Sequence, residues 1–293
     1  MSDIYIQILV NSLASALVLS LVAIGFTYIF RVTRVLHLAH AGLYVAGAFV
    51  FWWVLTKTNN WFAAVTLAIG VTVGLIYLIE KAVYLPLSRS QTNQTISLIA
   101  SLGVYVAIVN VLALLFGSEN RSMNELVSGS FVLGSIILTR VQVIQILVGV
   151  AVISMFLIYL RLTKSHWALQ SVADQKAISE VFGVNTERER LRVLVAGSVL
   201  ASIAAMLKTM ESGVEPYAGM SITLSAVVVT ILVSRLSVFL AIAFATALTL
   251  IQSSVEWLLD AQWKNGITFL VLLLVILFRT EGIVSYNLRK DRE

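Results

Sequence analysis

Residues 4–30 read Ile4-Tyr5-Ile6-Gln7-Ile8-Leu9-Val10-Asn11-Ser12-Leu13-Ala14-Ser15-Ala16-Leu17-Val18-Leu19-Ser20-Leu21-Val22-Ala23-Ile24-Gly25-Phe26-Thr27-Tyr28-Ile29-Phe30, an uncharged run that Arg31 closes. As a helix the run is about 40 Å long, more than the ~30 Å hydrocarbon core of a bilayer. The same rhythm recurs along the chain and predicts nine membrane helices, within a range of eight to ten. They cover 4–30, 35–55, 61–79, 95–116, 141–160, 191–207, 221–234, 236–258 and 266–278. The seventh and ninth fall short of the ~17 residues of a full crossing, so each is a short span, a half-helix or a re-entrant piece. The fold class is therefore all-α and polytopic: one transmembrane domain over 1–293, with its main polar loop at 161–192.

Composition narrows the function further. Apolar residues make up 59% of the chain and charged residues 12%, against ~25% charged in soluble domains. No stretch is polar enough for an independent soluble domain. There is no cysteine, which excludes disulfides, thiol nucleophiles and zinc–thiolate or iron–sulfur sites. Met1-Ser2-Asp3 lacks the basic start of a cleaved signal peptide, so the first run is expected to be a retained helix. The net charge of +5 does not point to nucleic acid, because the basic residues flank the spans.

Their distribution predicts orientation. With the N-terminus outside, fifteen of the 20 Lys and Arg residues lie on the cytoplasmic side, among them Arg31, Arg34, Lys81, Arg89, Arg161, Arg190, Arg235 and Arg279. Lys57, Arg121, Arg140, Lys208 and Lys264 stay outside, and the C-terminus is cytoplasmic. In the external segment 117–140, the run 129–138 carries two glycines among β-branched and large apolar residues, which reads as a short hairpin, an interfacial turn or a plain loop. The two prolines, Pro86 and Pro216, are expected between spans.

None of the fifteen carboxylates falls at the middle of an expected span. Carriers driven by protons or sodium commonly keep an ionisable group at that depth, so transport here would draw energy from elsewhere. His37 and His40 share one helix face at the start of the second span, but a metal needs more ligands than these two, so no metal site is expected. They either pack near the cytoplasmic interface or lie along a solute path. Gly42 and Gly47, with Ala39, Ala41, Ala46 and Ala48, form a small-residue helix suited to close packing in lipid. No nucleophile–base pair is visible, which argues against an enzyme. Polar residues within spans are the candidate path: Thr27, His40, Thr95, Ser97, Ser101 and Asn110.

In the loop 161–192, Leu169, Val172, Ala173, Ala177, Val181 and Phe182 fall near helical spacing, and Gly183 reads as a stop. A short amphipathic helix of this kind lies on membrane lipid or fits a groove on a protein partner. The mixed charges of Glu187-Arg188-Glu189-Arg190 make lipid recognition the weaker option.

Several of these residues resemble one family. His37-Leu38-Ala39-His40-Ala41-Gly42-Leu43-Tyr44-Val45-Ala46-Gly47-Ala48 resembles the Asn-x-Ala-His-Gly-x-x-x-x-x-Gly-Ala signature of branched-chain amino-acid ABC permeases. Ala23-Ile24-Gly25-Phe26-Thr27, Tyr84-Leu85-Pro86-Leu87, Phe182-Gly183-Val184-Asn185-Thr186 and Thr280-Glu281-Gly282-Ile283 resemble further elements of that family, in order along the chain. The resemblance implies an inner-membrane permease subunit of bacterial type. It implies as partners a second permease, two cytoplasmic ATPases that hold ATP and magnesium, and an extracytoplasmic solute-binding protein. The chain itself would bind no cofactor, and it carries no Walker A sequence. The loop residues Leu169 to Gly183 would be the ATPase-coupling helix. Solutes in the family are branched-chain amino acids and, in relatives, other amino acids, amides or urea. An ion-coupled carrier is the alternative from another class.

The sequence also departs from the family. Its signature Asn is His37 here and its central Gly is Ala41. A Gly-Gly-x-Gly-Ser turn corresponds to Thr230-Ile231-Leu232-Val233-Ser234, where only the serine remains, so a more regular helix is expected there.

Overall fold

A computed structural model of the chain describes residues 2–89, 93–123, 129–134, 136–163, 165–233 and 236–278. The Ser234 and Arg235 positions and the stretch 280–283 lie outside these residues. The long helices are α1 (Ser2–Thr33), α2 (Ala39–Thr58), α3 (Trp61–Ile79), α5 (Gln94–Phe116), α6 (Arg140–Leu162), α9 (Thr186–Ser212) and α11 (Val238–Leu258). Two shorter apolar helices, α10 (Ala218–Leu232, 15 residues) and α12 (Trp263–Phe278, 16 residues), take the places of the expected short spans. Four segments are small: α4 (Leu85–Arg89), α7 (Ser165–Asp174), α8 (Lys176–Val181) and a hairpin of β1 (Ser130–Leu133) with β2 (Ile136–Thr139). This is the all-α polytopic fold that the hydropathy pattern predicts.

Burial sorts the long helices into two layers. Between 67 and 78% of the apolar windows of α1, α2 and α9 are buried, against 22 to 33% for α3, α5, α6 and α11. The first three form the centre, and the others turn apolar faces outward. Lipid supplies no hydrophobic drive between helices, so the centre relies on close backbone approach. A Cβ added to Gly25 of α1 would lie 2.8 Å from the carbonyl oxygen of Gly197 in α9. One added to Gly219 of α10 would lie 2.3 Å from the Ala41 carbonyl oxygen in α2. Because Gly25 meets backbone, Gly25→Ala must push two helices apart. We expect a loss of about 1–3 kcal/mol, seen as a lower melting temperature in detergent; an unchanged melting temperature would show that the crossing yields freely.

Side chains fix the ends. Asn60 accepts from the Ala63 N–H at 3.0 Å, and Asn185 from the Arg188 N–H at 3.0 Å, starting α3 and α9. Thr139 and Gln142 form a reciprocal capping box on α6. β1 and β2 pair antiparallel with Leu133 opposite Ile136, so the segment 129–138 is a hairpin. Gln7 of α1 holds it, donating to the Ile137 carbonyl and accepting from its N–H, both at 2.9 Å.

Several boundaries differ from the sequence reading, the span expected at 191–207 running over Thr186–Ser212 among them, and three differences shape the site. The second helix begins at Ala39 rather than at 35, because Arg34 adopts a left-handed conformation (φ 58°) and the chain turns before it. The third helix does not stop at 79. It continues without a break to Ser88 through one π turn, Glu80–Tyr84, in which the Leu85 N–H donates to the Glu80 carbonyl. That shift of the hydrogen-bond ladder accommodates Pro86, which has no N–H to give and therefore sits inside a helix instead of between spans. The same turn draws Glu80 into the span. The 161–192 loop holds two helices instead of one, because Gln175 is extended (φ −148°, ψ 96°) and breaks the helical phase.

Candidate functional site

The expected path residues divide into three groups. Thr27, His40 and Ser101 are fully buried in the helix centre. The Thr27 and Thr230 hydroxyls share a hydrogen bond of 2.9 Å between α1 and α10, and Ser101 Oγ accepts from the Ala39 N–H at 2.9 Å. Ser97 lines a cavity with Glu80 and Arg190, beside the end of α1 and the start of α9. Thr95 and Asn110 face outward; Asn110 donates to the Val106 carbonyl of its own helix at 2.7 Å. The structure therefore does not gather the six residues around one lumen. The regular helix expected over 230–234 reaches only Leu232: residues 230–232 are helical and Val233 is already extended (φ −77°, ψ 108°).

His40 packs edge-on against Phe26, and neither of its ring nitrogens has a hydrogen-bond partner among the described residues. An unpaired buried polar group weakens the fold. We therefore expect His40→Leu to leave the melting temperature equal or higher; a clear drop would reveal a partner.

The cavity beside Ser97 has a volume of about 80 Å³ and was not visible in the sequence. Its charged wall is Glu80, from the π turn, and Arg190, from the first turns of α9. Arg190 Nε donates to Glu80 Oε1 at 2.8 Å, and both side chains are largely buried. Nothing short-range marks this pair, because its members are 110 residues apart. Buried atoms around the cavity that lack a hydrogen-bond partner among the described residues include His37 Nε2 and Glu80 Oε2. The space and polarity suit ordered water. Burial, and then the neighbouring His40, push the His37 imidazole down to about 3, so it is neutral at physiological pH. Among the described residues no three of His, Cys, Asp or Glu come together as metal ligands.

The residues expected in one coupling helix part company. Leu169, Val172 and Ala173 are buried against the transmembrane helices, and Arg34 donates to the Ala173 carbonyl. Ala177 is exposed, Val181 and Phe182 are 85% and 81% exposed on α8 and just beyond it, and Trp167 and Ile178 of the same segment are exposed too. Gly183, at φ +81°, then turns the chain into α9. The first trio thus anchors the segment, and the later residues form its free face.

A family model described as the permease component of the branched-chain amino acid transport system matches residues 8–276. The chain belongs to this family. It is 25% identical over 296 residues to the high-affinity branched-chain amino acid transport permease protein BraD of Pseudomonas aeruginosa, covering 96% of each chain. It is 24% identical to LivH of Salmonella typhimurium and 23% identical to LivH of Escherichia coli K12, again over 96% of each chain. The solved structure of PsaBC from Streptococcus pneumoniae in complex with Fab shares the fold, with TM-score 0.53, 13% identity and coverage of 94% of this chain and 95% of that one. The chain is thus a multi-pass membrane permease.

Proposed function

We propose that this permease is one membrane subunit of an ATP-driven ABC importer for branched-chain or related amino acids. In this reading the whole chain is one permease domain in a bacterial-type inner membrane, its N-terminus outside and its C-terminus cytoplasmic. A second permease, two ATPases with their ATP and magnesium, and an extracytoplasmic solute-binding protein complete the complex. The observation that carries the reading is the form of the basic end. An exposed apolar tip, Val181 and Phe182, stands on a segment fixed by buried Leu169, Val172 and Ala173. Closure of ATPase partners on that tip would move α8, then α9 through Asn185, and so the Arg190–Glu80 contact with the third helix. An ion-coupled carrier is less favoured, because the buried carboxylate Glu80 is held by an arginine that does not give up its proton. Relatives named for branched-chain amino acid transport support the solute class; amides and urea remain the competing solutes. Reconstitution tests the reading. The complex should take up leucine only with ATP and its binding protein, whereas uptake by the purified chain on a sodium or proton gradient alone would overturn it.

A further inference from the structure

A polar space of about 210 Å³ lies at the end of the bundle opposite the Glu80–Arg190 cavity, enclosed by α1, α9, α10, α11 and α12. A cavity of ~150 Å³ already admits a benzene-sized molecule. One wall is charged in both signs. Glu211, in the last turn of α9, receives Lys208 Nζ at 3.0 Å and Gln145 Nε2 at 3.0 Å, both on Oε2. No bond to its Oε1 occurs among the described residues. Lys264, from the start of α12, is close enough to act on the Glu211 charge, although its amine is shared with Glu256 at 3.1 Å. Val18, Leu19 and Ile222 form an apolar wall. Gln252 donates to Ser225 at 3.3 Å and to Thr268 at 2.7 Å, which holds α10, α11 and α12 around the space.

We propose that this cavity is a binding site within the subunit for a free α-amino acid in its zwitterionic form, an assignment that rests on the transport reading above. Glu211 Oε1 accepts from the α-ammonium group. Lys264 and Lys208 face the α-carboxylate, and the side chain lies on Val18, Leu19 and Ile222. A neutral amide or urea has neither the ammonium nor the carboxylate to make charge-assisted contacts with this wall, which separates this solute class from the competing ones.

Because the chain has no cysteine, Ser253→Cys at the cavity wall provides the one thiol of this subunit, and its labelling is read on the subunit's own band after the complex is separated. Leucine should protect it from a maleimide, while isocaproate, which lacks the amine, and leucine amide, which lacks the carboxylate, should protect far less. Adding Glu211→Gln should raise the leucine concentration for half-protection about tenfold, the loss expected for one charge-assisted contact. Equilibrium dialysis of labelled leucine against the unlabelled complex, without binding protein, gives the same comparison free of the reporter cysteine. Labelling that leucine does not slow, or equal protection by all three compounds, in a complex that still imports leucine would overturn the site and leave the transport reading standing. A complex that imports no amino acid would overturn both.

Discussion

Phe182→Asp is expected to abolish ATP-driven uptake while the protein inserts and accumulates normally. The ring is 81% exposed, so a carboxylate there costs the isolated chain almost nothing. In the complex the same ring would fill an apolar pocket on the ATPase, and burying an unpaired charge there is prohibitive. Exposed aromatic anchors of this kind carry 2 kcal/mol or more of an interface, about thirtyfold in affinity. Copurification of the ATPase should fall by at least that factor, and uptake with it. Val172→Asp is the contrasting variant: Val172 is buried within the chain and its replacement should lower abundance before any partner is involved. Full transport by the Phe182→Asp variant would remove the tip from the interface.

The two variants also mark where sequence reasoning ran out. Hydropathy alone located the seven helices among the described residues that are long and apolar enough to cross a membrane, and the two shorter apolar ones, because a span is a local property: an uncharged run between charges. It also found the segment that contains both Val172 and Phe182. It could not divide them, since it assumed one unbroken helix, and the extended Gln175 resets the phase between them. Asn110 shows a second limit. A polar side chain inside a span suggests a lumen, yet a helix can satisfy it on its own carbonyl, as Val106 does here. Glu80 shows a third. By sequence a charge closes the span at Ile79, but the π turn carries the helix past it and Arg190 neutralises it from another helix. That partnership is long-range, and no pattern within a window of the sequence encodes it.

Arg190→Ala should be strongly destabilising. The Glu80 side chain is 7% exposed, and Arg190 is the charged partner bonded to it. Removing one member of such a pair leaves an uncompensated buried charge, a loss of about 3–5 kcal/mol. The melting temperature and the abundance of the chain should both fall. Glu80→Gln should be milder, because it strands a guanidinium whose side chain is twice as exposed as its partner, at 14%, and whose long stem can bend toward water. Replacing both residues, Arg190→Met with Glu80→Leu, removes the stranded charge altogether, and buried pairs replaced in this way are often neutral or more stable. The double variant should therefore recover most of the abundance that Arg190→Ala loses. If it does so while uptake remains lost and the ATPase still copurifies, the pair is the mechanical link from α9 to the third helix rather than a simple brace. An Arg190→Ala protein as stable as the wild type would show that water already screens Glu80 and that the pair carries no strain between the helices.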